Sequence, residues 1–420
     1  LLFSNVILTI VMVIPSSLCV VYIDKLVNVP DKLLLDVRLT FAVVFLNFLF
    51  STIQTSFSMV FFVRNKLYLN SMRSIESNFI RIAVIVALFF IFSPRIVYMV
   101  LGTLVSTIFV LITNIYYTKN LLPELAISSA AAKIKYLKEL VESGIWNCLT
   151  KLSQVFTSGL DLLVSNLFLG AAAMGTLSLA KMLPNFIVSF ITSVSGVFSP
   201  NLTILYAKNQ MNELIAETKS AMKVMSIFSA IPNALIVVFG FYFFRLWVPG
   251  EDARQLQILS VLTVANSCIT GPIHPLYQLF TITNKIKLSS VAMIAYGVIT
   301  FFITLIMLKF TSFGLYAIAG VSLVTSVLVA LLFHIPVSAK IIGMKKQTFY
   351  PEVFKSCFAF GIVVLIGSGY KILYTPTNWF GLLFSMIVVG TLGLLLNFLL
   401  ILSKRERNLL MMAVRGKLHK

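Results

Sequence analysis

Long apolar segments recur from one end of this chain to the other, and they constrain its fold more than any single motif does. Each segment has about the 20 apolar residues that an α-helix needs to cross a bilayer. Hydrophobic residues make up 59% of the 420 residues, which is too many for a soluble domain. The sequence therefore predicts an all-α, multi-pass membrane protein. We place about twelve spanning helices, near residues 2–23, 37–63, 77–93, 96–118, 145–169, 177–206, 222–247, 256–282, 288–308, 313–335, 353–373 and 379–403.

Lys and Arg residues concentrate on one side of these predicted spans. Most of the 33 lie in alternate connections and in the C-terminal tail, as expected for segments that stay in the cytoplasm. The predicted orientation therefore puts the C-terminus in the cytoplasm. The net charge of +19 suits loops beside anionic lipids, so no nucleic-acid partner is expected. The longest connection, 119–143, is predicted to be an amphipathic cytoplasmic linker.

Two short patterns recur at nearly the same offset, which indicates an internal repeat. One offset is 219 residues, from position 65 to position 284, and the other is 218, from 98 to 316. The matched residues are Phe61, Asn65, Lys66, Leu69 and Ser71 with Phe280, Asn284, Lys285, Leu288 and Ser290, and Tyr98, Gly102 and Thr107 with Tyr316, Gly320 and Thr325.

The repeat predicts two homologous lobes, as in secondary transporters. We expect an N-terminal lobe at 1–118 with four of its six helices, and the linker at 119–143. A six-helix C-terminal lobe follows at 144–335, and two further helices with a basic tail occupy 336–420. The repeat offset predicts that a complete first lobe has about 75 more residues, forming two helices before Leu1.

Polar side chains follow one face of several spans when each residue is turned about 100° from the last. A seam of Ser and Thr between packed helices is narrow, whereas broad polar stripes favour a water-filled cavity. The stripes comprise Thr40, Asn47, Ser51, Gln54, Thr55 and Ser58; Asn147, Thr150, Ser153, Gln154, Thr157, Ser158, Asp161 and Ser165; Lys181, Asn185, Ser189, Thr192, Gly196, Ser199 and Thr203; and Asn266, Thr270, His274, Tyr277 and Thr281.

Two full charges, Asp161 and Lys181, belong to stripes that are joined by a short turn at 170–175. Charges inside a membrane usually mark an ion or substrate path. A purely structural ion pair, or a Lys181 that extends to the membrane surface, would explain the same residues. His274 lies between Pro272 and Pro275, which remove helix hydrogen bonds and bend the span. That histidine either titrates near neutral pH or only forms a hydrogen bond at the kink.

Several missing features restrict the function. The sequence has no Gly-x-x-x-x-Gly-Lys-Ser/Thr loop and no metal-ligand pattern, so neither a nucleotide-driven pump nor a metal or other cofactor is expected. The predicted outer loops are too short for the catalytic loop of a membrane polymerase or ligase. A structural scaffold would not need polar stripes. We therefore expect a transporter and no enzyme.

Six segments resemble the bacterial polysaccharide flippases, namely 158–165, 169–170, 177–185, 196–200, 283–287 and 314–320. These are the Wzx-type (O-antigen or exopolysaccharide repeat-unit) branch of the MATE-like multidrug/oligosaccharidyl-lipid/polysaccharide superfamily. The resemblance implies fourteen helices, in two six-helix lobes plus two, and transport by alternating access in the bacterial inner membrane. The implied cargo is a polyprenyl-phosphate-linked oligosaccharide repeat unit for cell-surface polysaccharide synthesis.

The resemblance also implies a cationic cavity for the cargo phosphate. Lys181 matches a basic cavity position of the family, Asp161 matches the acidic residue of the preceding helix, and His274 stands where Asn is expected. The expected partners are the lipid-linked oligosaccharide, membrane lipids and a coupling cation, and the protein is expected to be a monomer. The alternative is a cation-coupled multidrug exporter, whose site would favour acidic and aromatic groups. The predicted cavity residues are Lys181, Asp161, Asn185, Gln154, Thr157, Asn47, Gln54 and His274.

Overall fold

The computed structural model of the protein describes residues 2–27, 29–64, 66–124 and 159–402, together with positions 145, 149, 152, 155 and 407. Within those ranges the regular secondary structure is helical, with no strand. Of the described helices, nine are long and apolar enough to cross a membrane, and one bent pair adds a tenth candidate. Two shorter apolar helices, Asn5–Val21 and Leu160–Leu169, lie outside that count. The predicted all-α membrane fold is confirmed, whereas the count of twelve spans stays a prediction.

The chain divides into two compact units, Leu1–Ile145 and Trp146–Lys420, and each is described by itself. In the first unit α3 packs against α1 and α5, and α5 packs against α4. Most of the predicted linker, 125–143, lies outside the described residues. The helices of the first unit are α1 (Leu2–Val21), α2 (Ile23–Leu26), α3 (Leu34–Val63), α4 (Leu67–Ile91) and α5 (Ile96–Leu121).

Two ion pairs tie the start of α3 to neighbouring segments of the first unit. Arg38 Nη2 lies 3.0 Å from Asp24 Oδ1, and Arg95 Nη1 lies 3.6 Å from Asp36 Oδ1. The Arg38 guanidinium donates a hydrogen bond to Asp24 and holds the pKa of that exposed carboxyl below its usual range. These contacts partly neutralise the two arginines.

The second unit is organised around α9, its longest helix, which packs against α7, α10, α16 and α17. Met222, Met225, Phe239 and Phe244 of α9 are fully buried. The helices are α6 (Leu160–Leu169), α7 (Ala171–Gly196), α8 (Ser199–Ala207), α9 (Met211–Trp247), α10 (Ala253–Val264), α11 (Ser267–Thr270), α12 (His274–Ile282), α13 (Ile286–Phe310), α14 (Leu315–Val329), α15 (Ile335–Ile341), α16 (Tyr350–Leu373) and α17 (Trp379–Ile401), with a π-helical turn at Ala330–His334 between α14 and α15.

A sharp bend interrupts the predicted span 256–282. Ala253–Thr270 and His274–Ile282 meet at 54°, which confirms the bend predicted from Pro272 and Pro275, since proline cannot donate the helix hydrogen bond. Gly271 at the break allows α9 to approach closely. A Cβ at that position would come 2.5 Å from Cβ of Ser229 on α9.

Large apolar side chains cover much of the helix surface. Phe90, Ile372 and Phe380 are exposed at 88%, 86% and 82%. Single exposed apolar residues are ordinary in soluble proteins, but such rings and branched chains along 20-residue apolar helices suit a lipid environment. The surface therefore agrees with the composition of the chain in indicating membrane helices.

Candidate functional site

The hairpin of α6 and α7 carries both charges of the predicted site. Gly170 connects the two helices with a φ of +94°, a conformation that side chains with a Cβ rarely adopt. The turn is therefore a single residue, and α7 begins at Ala171 rather than near 177 as predicted. Helix rise places Asp161 about 13 Å and Lys181 about 16 Å from this turn, so the two residues lie at nearly the same depth.

The structure brings these two charges into direct contact. Lys181 Nζ donates to Asp161 Oδ2 at 2.6 Å, and the two side chains are only 7% and 12% exposed. A charge-assisted hydrogen bond of this length is strong. It also keeps the lysine inside the hairpin, so Lys181 does not extend towards the membrane surface. The lysine is about three turns into α7, deeper than the single turn predicted from the sequence.

The backbone beside Lys181 is anchored to α10. The Ser260 hydroxyl, fully buried, donates to the Ala180 carbonyl oxygen at 2.5 Å. Through this hydrogen bond to a backbone carbonyl oxygen, Ser260 joins α10 to the segment that carries the lysine. This contact holds the direction in which the neighbouring Lys181 side chain leaves the helix.

A cluster of hydroxyl groups on α13 and α14 lies on the Asp161 side of the hairpin. The Tyr296 phenol lies beside the hydroxyls of Thr300, Thr325 and Ser326, and it is within electrostatic range of Asp161. Thr300 Oγ1 donates to Thr325 Oγ1 at 2.9 Å, and Asn266 Nδ2 donates to Ser326 Oγ at 2.9 Å. Sequence analysis missed Tyr296, Thr300 and Ser326 as site residues. Two of them could have been found from the sequence, because Tyr296 and Thr300 are four residues apart and therefore share one face of α13.

Asp161 also borders a small cavity inside the second unit. Its volume is about 10 Å³, which is room for roughly one water molecule. A water there would give the carboxylate a further hydrogen-bond donor, but a sugar ring does not fit. The lining residues are Leu160, Asp161, Val164, Thr300, Phe301, Thr304, Ile318 and Ser322.

The predicted polar stripe of α7 continues beyond the ion pair as an exposed face. Asn185, Ser189 and Thr192 are exposed, whereas Ile187 and Ile191 are buried at 6% and 1%. The polar face of α7 is therefore not a packed seam within the second unit. The polar cavity that these residues were expected to line stays a prediction.

The remaining predicted residues lie in the first unit or outside the described residues. Asn47 and Gln54 belong to α3 of the first unit and are partly buried, and Asn47 Oδ1 has no hydrogen-bond partner among the described residues. Gln154 and Thr157 lie outside the described residues, as do the polar positions 147, 150, 153 and 158 of the same predicted stripe. Their contribution to the site stays a prediction.

His274 belongs to a cluster of aromatic rings at the start of α12. Its ring meets the Tyr277 ring edge-on at 5.3 Å, and Tyr277 meets His334 at 4.8 Å. His334 is 2% exposed and ends the π-helical turn after α14, a kind of turn often found at functional sites. Sequence analysis did not identify His334, since it stands alone in an apolar segment.

Comparison with known proteins bears on the predicted resemblance and on the fold. Residues 1–205 match the model of a family described as polysaccharide biosynthesis protein. The resemblance to the polysaccharide flippase superfamily is confirmed. An uncharacterized membrane protein, EpsK of Bacillus subtilis (strain 168), is 23% identical over 412 residues, which are 98% of this chain and 81% of EpsK.

A solved structure of the lipid II flippase MurJ in an inward closed conformation is similar to this chain with a TM-score of 0.64. The match covers 94% of this chain and 82% of MurJ at 15% identity, so it establishes the fold alone. The predicted all-α multi-pass fold is thereby confirmed for this chain, and it is similar to the fold of MurJ. The presence of twelve of fourteen helices, and the two lobes with their predicted boundaries, stay predictions.

Proposed function

We propose that the protein is a flippase that moves a polyprenyl-phosphate-linked oligosaccharide repeat unit from the cytoplasmic to the outer leaflet by alternating access. The observation that carries the proposal is the buried lysine of α7, held 2.6 Å from Asp161 halfway along an apolar hairpin. A cationic group at this depth is costly in a membrane and is kept where it serves an ion or substrate. The family match supports cell-surface polysaccharide synthesis as the pathway.

The ion pair gives the cargo phosphate a defined way to bind. Without cargo, Asp161 neutralises Lys181, because an unpaired charge in this buried position would be strongly unfavourable. A phosphate that enters beside Lys181 replaces the carboxylate as its counter-ion. The exposed Asn185, Ser189 and Thr192 on the same face of α7 then offer polar contacts to the attached sugars.

Release of Asp161 from Lys181 also supplies a reason for coupling to a cation. The freed carboxylate needs compensation in its turn, from a proton, a metal cation or the neighbouring hydroxyls of Tyr296 and Thr300. Binding of cargo and binding of a cation then stabilise the same rearranged hairpin, which is a thermodynamic coupling between the two ligands.

The same contact weighs against a multidrug exporter. A cationic drug would need a carboxylate with unshared charge, whereas Asp161 already has Lys181 as its partner. The pair leaves little net negative charge to attract a cation from solution. Phosphate recognition therefore accounts for the lysine better than drug recognition does.

Reconstituted transport of a defined lipid tests the proposal. Proteoliposomes would contain a polyprenyl-pyrophosphate-linked sugar, and a membrane-impermeant oxidant would measure the sugar fraction that reaches the outer leaflet. We expect transport by the unmodified protein and loss of transport by Lys181→Ala. Lys371→Ala is the matched control, because Lys371 lies on α16 over the Tyr242 ring and outside the hairpin. Export of a cationic dye without lipid transport would establish the exporter instead.

Location and assembly follow from the same proposal. The bias of Lys and Arg supports an inner-membrane protein with a cytoplasmic C-terminus. The hairpin of α6 and α7 supplies both members of the ion pair from one chain, so the proposed function needs no second copy. We therefore propose a monomer as the working unit.

A further inference from the structure

We propose that a groove between the segment 332–336, where the π-helical turn leads into α15, and the start of α16 binds an anionic phospholipid. The groove has a volume of about 670 Å³, within the usual range for sites that hold small molecules. This inference is independent of the transported cargo and of the ion pair in the α6–α7 hairpin. The lining includes Leu332, Pro336, Lys346, Gln347, Tyr350 and Phe354.

The groove lies where two candidate membrane spans end on the same side. One span is Leu315–Ile341 and the next is Tyr350–Leu373. Lys346 and Gln347 come from the short connection between them, and Leu332 and Phe354 come from the spans themselves. The ends of spanning helices lie at the headgroup level of a bilayer. The groove therefore faces the region that phospholipid headgroups occupy, whichever side of the membrane it is on.

The two ends of the groove differ in chemistry as the two ends of a lipid do. Leu332 and Phe354 are 73% and 72% exposed, and they offer an apolar wall for the upper part of an acyl chain. Lys346 and Gln347 offer a cation and hydrogen-bond donors to a phosphate or glycerol headgroup. A lysine at a membrane surface attracts anionic lipids in particular.

The charge at the polar end is not neutralised by protein carboxylates in the described part of the chain. Lys340, Lys345 and Lys346 form no ion pair with any acidic residue that the structure describes, whereas Lys355 is paired with Glu352 at 3.2 Å. Three positive charges within seven positions complement an anionic headgroup, and they favour it over a zwitterionic one.

The groove is built from ordered parts of the fold. The Tyr350 hydroxyl donates to the Leu331 carbonyl oxygen at 2.5 Å, which joins α16 to the π-helical turn. The adjacent Phe349 is fully buried in the core with Leu276 and Ile335. Since both walls are held before any ligand binds, little ordering opposes lipid binding.

A tryptophan reporter with brominated lipids tests the proposal. Phe354→Trp puts an indole in the exposed wall, and the full-length protein would be reconstituted in phosphatidylcholine vesicles. Equal amounts of acyl-brominated phosphatidylglycerol or acyl-brominated phosphatidylcholine would then be added. The difference in quenching between proteins with and without the reporter measures lipid at the groove. We expect about fivefold tighter binding of the anionic lipid, from roughly 1 kcal/mol per lysine near an anionic surface.

Two further variants separate a lipid site from a general effect of charge. With the reporter in place, Lys346→Gln should weaken the preference for phosphatidylglycerol, so that the two lipids quench more equally. Lys371→Gln, at the other end of the same helix, should leave it unchanged. Equal quenching by both lipids, or a preference that Lys346→Gln leaves undiminished, would overturn the proposal. Lack of quenching by either lipid would show that protein covers the groove and would overturn it as well.

Discussion

The contact between Lys181 and Asp161 allows stability and transport to be tested separately. Asp161→Asn keeps the shape of the side chain and removes its charge, so the Lys181 ammonium loses this carboxylate as a partner. Lys181→Gln removes the positive charge, so the Asp161 carboxylate loses the lysine as a partner. The double variant Asp161→Asn/Lys181→Gln removes both charges and leaves two amides at the same depth, where they can form a neutral hydrogen bond.

The structure sets the size of the expected effects. The two side chains are 7% and 12% exposed and meet at 2.6 Å. Removing one member of a buried pair costs about 3 to 5 kcal/mol, because the other charge is left uncompensated. We expect about 3 kcal/mol for each single variant, since Tyr296 and Thr300 supply polar neighbours near Asp161. The double variant should lose about 1 kcal/mol or less, as replacement of both charges is often nearly neutral.

Unfolding in detergent micelles measures these differences. The free energy of unfolding of the four proteins, followed by tryptophan fluorescence during denaturation, gives the coupling energy of the pair as a double-mutant cycle. The expected coupling is about 5 kcal/mol, because the two single losses should nearly disappear in the double variant. Single variants within about 0.5 kcal/mol of the unmodified protein, with no coupling, would refute the argument from burial.

Transport by the double variant then distinguishes a structural pair from a cargo site. If Lys181 only balances Asp161, the double variant should regain transport together with stability. If Lys181 binds the cargo phosphate, the double variant should be stable and inactive. A stable double variant with normal transport would remove Lys181 from the proposed site.

Two further predictions concern packing and topology. Gly271→Ala would put a Cβ 2.5 Å from Ser229 Cβ, so we expect a loss of about 1 to 3 kcal/mol. A Cβ at Gly175 in α7 would have no neighbouring atom within 4 Å, so Gly175→Ala should be neutral or stabilising by up to about 1 kcal/mol. Equal denaturation midpoints for the Gly271→Ala and Gly175→Ala variants would contradict the packing argument. For topology, an impermeant thiol reagent on intact cells should label Glu251→Cys and not Ser128→Cys. The reverse labelling pattern would invert the predicted orientation.

The first and last residues of a helix were predictable where a charged residue or a proline borders its apolar segment, and less predictable elsewhere. The predicted span 96–118 agrees with α5 to within three residues, because Arg95 and Lys119 bound its apolar run. The start of α7 was placed six residues late, since hydropathy is weak across the small residues at 171–175. The backbone conformation of Gly170 sets that start, whereas the sequence analysis placed the whole turn at 170–175. This error made Lys181 appear close to the end of its helix.

The site was predictable only as far as stripes on single helices reveal it. Asp161 and Lys181 stood out because a charge in an apolar span is costly wherever it faces. Tyr296, Ser326 and His334 did not, because each becomes part of a polar or aromatic cluster through a neighbouring helix. Such contacts depend on how helices pack, and one sequence contains no direct signal for them.

The near-equal depth of Asp161 and Lys181 explains why this pair can serve as a reversible contact. A one-residue turn makes α6 and α7 antiparallel neighbours, so residues at similar distances from Gly170 face each other without bending either helix. The lysine is unbranched and carries its charge at the end of a flexible stem, which lets the ammonium leave the carboxylate by rotation of its own side chain. The backbone at Ala180 is meanwhile held by Ser260 at 2.5 Å. In the proposed mechanism, exchange of the counter-ion at Lys181 therefore requires no displacement of α7, and a larger movement of the hairpin would follow cargo binding rather than precede it.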